Sequence, residues 1–238
     1  MNRPLEIVVA DAARAHGRSI RAGDRTANWF VYAWSAAQKI GEPYRHWLLR
    51  NALPHDVARA IAALPIAASG IGDTLGKRDG HNSSRTFFSP AMRAEYPVCN
   101  EVAAAFQKPE TVAAIEQATG SDFSGSYLRI EFCQDTDGFW LEPHTDIGAK
   151  LLTLSVFLSD APGSEDWGTD IYSDGGTRHA GRVPSGFNEG FAFVPGTDTW
   201  HGVEKRPFTD VRRSIIVNYV KPEWRSRHEL AYPERAVG

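Results

Sequence analysis

Four residues have the types and the order that iron chemistry requires. His144 and Asp146 stand in FWLEPHTDIG as a His-x-Asp pair, His201 stands in VPGTDTWHGV, and Arg212 stands in VRRSIIVNYV. Two imidazoles and one carboxylate can hold a single ferrous ion on one face and leave the opposite face open for a co-substrate and for dioxygen. An arginine placed after them supplies the planar cation that grips the far carboxylate of a dicarboxylic co-substrate.

The local patterns can position these groups. On an extended chain, alternate residues point to the same side, so His144 and Asp146 can reach one ion. EGFAFVPGTDTWHGVEK reads as an apolar strand over Phe191 to Val194, then a Pro-Gly turn, then His201. VRRSIIVNYV is a β-branched strand in which Arg212, Ser214 and Asn218 share one face. Arg213 takes the other face, and a register slip of one residue would exchange it with Arg212. Taken singly, a His-x-Asp is usually a surface loop or a histidine held by a local hydrogen bond. The ordered set of strand, His-x-Asp, turn, Trp-His-Gly-Val and Arg-x-Ser is what gives the motif its weight.

With PHTD (143–146), VPGTDTWHGV (194–203) and RRSIIVNYV (212–220) in view, the chain resembles the 2-oxoglutarate- and iron(II)-dependent dioxygenases of the prolyl-hydroxylase-like type. The resemblance covers Tyr127 to Val220. It implies an α+β chain with a double-stranded β-helix (jelly-roll) core over 124–220, flanked by N-terminal helices. It implies metal ligation by His144, Asp146 and His201. It also implies that Arg212, with Ser214 beside it, holds the C5 carboxylate of 2-oxoglutarate. Halogenating relatives carry a small residue where Asp146 stands, so hydroxylation or a related oxidation is expected, with release of succinate and carbon dioxide. No catalytic side chain beyond the metal centre is required. Two other readings remain: a non-catalytic jelly-roll binding module, and a cupin-like metal oxygenase that does not use 2-oxoglutarate.

Further polar residues are candidate co-substrate or substrate contacts. Gln134 precedes His144 where relatives often place a tyrosine or another polar group. Lys150 follows the metal pair, although a solvated hairpin lysine is its plainer reading. Arg129 lies in YLRIEF with its face open, and Asn218 follows Arg212 and Ser214. Trp140 and Trp200 flank the ligands and read as packing. Residues 70–85 and 159–184 read as loops able to hold a substrate. His179 in the second is read as a loop residue, because a fourth ligand would block the metal. The loops are polar, which suggests a polar small molecule, an amino acid, a peptide side chain or a sugar.

Composition sets the outer bounds. The chain has 238 residues, 42% hydrophobic and 23% charged, enough for one domain with a substantial core. The net charge of −3 offers no general attraction for nucleic acid. Sequence hydropathy gives neither a transmembrane run nor a secretion signal. Cys99 and Cys133 make no disulfide framework, so a reducing, cytoplasmic setting is expected, with Cys133 a small buried hydrophobe. The oligomeric state is not written in the sequence.

The front of the chain reads as follows. Residues 1–25 form a mobile segment or a short opening strand. A helix spans Trp29 to Lys39, a strand His46 to Arg50, and an amphipathic helix begins at Pro54. A loop covers 69–84 and a strand 85–88. Helices span Cys99 to Phe106 and Pro109 to Thr119, the latter closed by Gly120.

Overall fold

In a computed structural model, residues 22–70, 75–77 and 85–238 are described. The expected opening segment therefore falls outside the described residues up to position 21, as does most of the 70–85 loop. Among the described residues, five α-helices precede the barrel: α1 (Ala22–Ser35), α2 (His55–Ala62), α3 (Pro90–Glu95), α4 (Pro97–Phe106) and α5 (Pro109–Thr119). Proline opens each of the last three, where its missing N–H costs nothing and its fixed φ suits the first turn. Ser89 caps α3 by accepting from the Met92 N–H. Gly120 ends α5 at φ 77°, the left-handed conformation that a residue without Cβ adopts freely.

The described residues form eleven strands, in chain order β1 (Gln38–Ile40), β2 (His46–Leu49), β3 (Arg85–Phe87), β4 (Tyr127–Asp135), β5 (Leu141–His144), β6 (Lys150–Phe157), β7 (Asp170–Ser173), β8 (Arg178–Arg182), β9 (Gly190–Phe193), β10 (His201–Val203) and β11 (Arg212–Val220), the first three lying among the helices. They form a seven-stranded sheet in the order β1-β2-β9-β6-β11-β4-β3 and a four-stranded sheet in the order β5-β10-β7-β8. Every pairing is antiparallel. Strands β4 to β11 alternate between the two sheets, save that β7 and β8 are consecutive in the smaller one, which is the expected jelly-roll, and β1, β2 and β3 extend the larger sheet at its edges.

The two faces of the larger sheet carry different chemistry. Leu128, Ile130 and Phe132 of β4, Leu152, Leu154 and Val156 of β6, and Ile215, Val217 and Tyr219 of β11 belong to one apolar core with α1, α2, α4 and α5. Burying a side chain of this size is worth roughly 1.5–3 kcal/mol, so this face secures the sheet to the helices. The opposite face looks into the barrel and is polar: Arg129, Glu131, Cys133 and Asp135 on β4, Thr153 and Ser155 on β6, Arg212, Ser214 and Asn218 on β11. All nine are buried.

Several elements differ from the sequence expectation. The first helix stops at Ser35, and Gln38–Ile40 forms β1 instead of its last turn. Helix α3 was not anticipated, because PAMRAE is short and follows a strand directly. The stretch 159–184 contains β7 and β8, so it is not one loop. Its Gly- and Asp-rich composition, with β8 largely exposed at the sheet edge, gives no apolar alternation to read. Among the described residues no helix is long and apolar enough to cross a membrane.

Candidate metal centre

The smaller sheet brings the two histidines together. His201 on β10 pairs directly with His144 on β5, and their ring centroids are 4.4 Å apart. Asp146 lies just beyond β5, where the chain turns toward β6. The ligand-type atoms of His144, Asp146 and His201 all fall within 4.8 Å of one another. Phe193 of the larger sheet covers the His201 ring at 4.8 Å, so the centre sits where the two sheets face each other.

Hydrogen bonds fix which nitrogen each imidazole presents. Nδ1 of His144 lies 2.9 Å from the Glu142 carbonyl, and Nδ1 of His201 lies 2.9 Å from the Thr199 carbonyl. A carbonyl can only accept, so both Nδ1 atoms carry the proton and Nε2 is the nitrogen each ring can offer to a metal. Burial lowers the His201 pKa to about 4, which keeps the imidazole neutral and ligand-competent at physiological pH. Burial alone would raise the Asp146 pKa. The Lys150 ammonium and the Thr153 hydroxyl overcome it, so Asp146 stays ionised. This donor set fits a divalent iron.

Asp146 is held from both sides. Its Oδ1 accepts from Lys150 Nζ at 2.5 Å and its Oδ2 from Thr153 Oγ1 at 2.6 Å. Thr153 Oγ1 in turn accepts from Asn218 Nδ2 at 2.9 Å, and Asn218 Oδ1 accepts from Arg129 Nη1 at 3.1 Å. Arg129 also bonds Glu131 and Glu229. Lys150 is therefore a buried partner of a metal-ligand candidate, not a solvated hairpin lysine. Arg129 faces inward, and it joins Asn218 in a relay that ends on Asp146.

Arg212 and Ser214 face the barrel interior, in the expected register. Arg213 points away and is half-buried near Asp210. Arg212 Nε donates to the Trp167 carbonyl at 2.5 Å, and its Nη1 donates to Asp135 Oδ2 at 2.6 Å. The phenyl ring of Phe157 lies 5.7 Å from its Cζ. Gln134 is not brought to this place. It occupies the opposite face of β4, beside Arg213 in register, and donates to the Ile66 carbonyl at 2.9 Å. Strand parity explains the miss, because Asp135, one position on, is the inward residue.

Sequence reasoning also missed Tyr44 and the rim around it. Tyr44 is 3% exposed, packs edge-on against His46 and Phe193, and keeps a buried hydroxyl without a hydrogen-bond partner. Burial and the nearby carboxylates of Asp146 and Asp198 push its pKa far up. A cavity of about 670 Å³ is lined by Glu42 and Pro43, which precede Tyr44, and by Arg178, His179, Asp198 and Trp200. His179 belongs to β8 and bonds Asp170 at 3.1 Å, so it is neither a loop residue nor a fourth ligand to the centre.

Comparison with solved structures identifies the fold. The chain is similar to a prolyl 4-hydroxylase from Pseudomonas putida, with 16% identity, a TM-score of 0.54, and 82% of this chain and 99% of that one covered. It is similar to a prolyl hydroxylase from Trichoplax adhaerens, solved with a peptide fragment of the hypoxia inducible factor oxygen degradation domain, at 13% identity and TM-score 0.53 over 82% and 89% of the two chains. A prolyl 4-hydroxylase from Phytophthora capsici gives 13% identity and TM-score 0.55 over 87% and 68%. The fold is thus that of these prolyl hydroxylases. No family model and no curated protein matches the sequence.

Proposed function

We propose that this chain is an iron(II)- and 2-oxoglutarate-dependent oxygenase that hydroxylates a polar small molecule, an amino acid, a peptide side chain or a sugar. The observation that carries this reading is the convergence of two Nε2 lone pairs and one ionised carboxylate, each fixed by a second hydrogen bond. His144, Asp146 and His201 hold the metal, and Arg212 with Ser214 receives the distal carboxylate of the keto acid. Bound iron and 2-oxoglutarate supply oxidation of the substrate by dioxygen, with succinate and carbon dioxide released. The protein's own part is positional. The Asp146–Thr153–Asn218 relay orients the carboxylate ligand, Phe193 excludes water from the His201 face, and the polar cavity receives the substrate.

One observation favours a second reading. Asp135 already takes Nη1 of Arg212, as it would in a metal oxygenase that needs no keto acid. Titration of 2-oxoglutarate into the manganese-loaded protein decides between them. Saturable binding that is lost in His144→Ala supports the first reading, and no binding supports the second. A screen of polar metabolites for stimulated succinate release then narrows the substrate.

A further inference from the structure

The inner face of the larger sheet holds three arginines, and they are not equally satisfied. Arg129 has both Glu131 and Glu229. Arg85 and Arg212 share a single carboxylate, Asp135. Arg212 Nη1 lies 2.6 Å from Oδ2, while Arg85 Nη2 lies 3.3 Å from Oδ1 in an ion pair too loose to leave that oxygen with a hydrogen bond. The Arg85 side chain is 7% exposed, Asp135 is fully buried, and Arg85 Nε has no acceptor. The Cys133 sulfur and Glu131 also face Arg85, but the sulfur is a weak acceptor and both Glu131 oxygens are bonded by Arg129. A buried donor without an acceptor costs free energy unless an anion completes it.

The register puts this open donor beside the proposed co-substrate contacts. Arg85 on β3 pairs with Cys133 on β4, Cys133 with Ser214 on β11, and Ser214 with Phe157 on β6. Arg85 therefore lies in one row with Ser214, on the same face as Arg212. The two guanidiniums flank one ring, each with Cζ 5.8 Å from the Phe139 centroid. The geometry points to Arg85 as a second cation of the keto-acid pocket: the distal carboxylate is gripped by Arg212 and Arg85 together, and Asp135 holds the two guanidiniums side by side. This rests on the proposed use of 2-oxoglutarate. It adds a binding residue from an edge strand outside the jelly-roll, and it makes the pocket selective for a dianion over a keto acid with one carboxylate.

The test is calorimetric titration of the manganese-loaded protein with 2-oxoglutarate and with 2-oxobutanoate, which lacks the distal carboxylate. Arg85→Gln weakens 2-oxoglutarate about tenfold or more and leaves 2-oxobutanoate and manganese affinity unchanged, so the preference for the dianion falls. Arg85→Lys, which keeps the charge, recovers part of the loss. A purely structural Arg85 would instead lower the thermal midpoint and weaken both keto acids equally, and that result overturns the inference. So does undiminished 2-oxoglutarate binding in Arg85→Gln alongside a loss in Arg212→Gln, in which case the oxygenase reading survives. If the wild-type protein binds manganese but not 2-oxoglutarate, both fall.

Discussion

Two clusters in the smaller sheet bring histidine and carboxylate atoms within 4.8 Å of one another: His144, Asp146 and His201, and Asp170, His179 and Glu204. They differ in what their lone pairs already do. Asp170 Oδ1 accepts from His179 Nε2 and Arg182 Nε, and Oδ2 accepts from the Glu204 N–H and from Arg206. These donors fill a carboxylate's capacity, so Asp170 has no lone pair left for a metal. At Asp146 the lysine and the threonine leave each oxygen a free direction, and the carbonyl bonds at Nδ1 make Nε2 the ligand nitrogen of both histidines. Proximity of ligand types is therefore not a metal site. The second cluster is an arginine-neutralised tie between β7, β8 and the chain after β10.

The largest effect expected from this contrast concerns metal binding. His144→Ala should weaken manganese or iron binding on the order of 100-fold or more, beyond what loss of an outer partner usually costs. Asp170→Asn should leave affinity and a stoichiometry of one unchanged. A calorimetric titration showing two equivalent sites, one of them lost in Asp170→Asn, would break the comparison.

Asp170→Asn should instead act on stability. It strips a buried carboxylate from Arg182, Arg206 and His179, leaving cations that are only partly exposed. A loss of about 3 kcal/mol is expected, which lowers the thermal midpoint by roughly 6–12 °C in a chain of this size. A midpoint within a degree of wild type would show that the tie is ornamental.

Lys150→Met sharpens the other half. In the metal-free protein it leaves the Asp146 carboxylate, 7% exposed, with Thr153 and no ammonium. The metal-free variant should be less stable by about 2 kcal/mol. Metal binding should restore that charge balance and no longer meet a like charge, so the midpoint rise on adding manganese should exceed that of wild type. A smaller rise would mean that Lys150 assists the metal.

The contrast also explains what the sequence could show. His144 and Asp146 were legible because the two-residue period of an extended chain puts them on one face, and Arg212 and Ser214 for the same reason. Arg85 and Asp135 were not, because their pairing exists only once β3, β4 and β11 lie side by side, far apart in sequence. Lys150 was misread because a lysine after a turn normally reaches water; the partner that buries it lies on the preceding loop. Strands β7 and β8 were hidden by glycine, aspartate and exposure, and Tyr44 by its position in an N-terminal segment that the barrel motif does not include.

The smallest effect is the most diagnostic of charge. Burial tends to raise the Asp170 pKa, but the Glu204 N–H, Arg206, His179 and Arg182 outweigh it, and the folded value is depressed. A depressed carboxylate contributes stability that is fully present above its unfolded pKa, about 3.9, and is lost as pH falls toward the folded value. The stability gap between wild type and Asp170→Asn should thus be constant from about pH 7 to 5. Below about pH 4 it should close, by no more than roughly 1.4 kcal/mol per pH unit for one linked proton. Urea titrations at stepped pH measure it. A gap that stays constant down to pH 3 would mean that the shape of Asp170, and not its charge, ties these strands together.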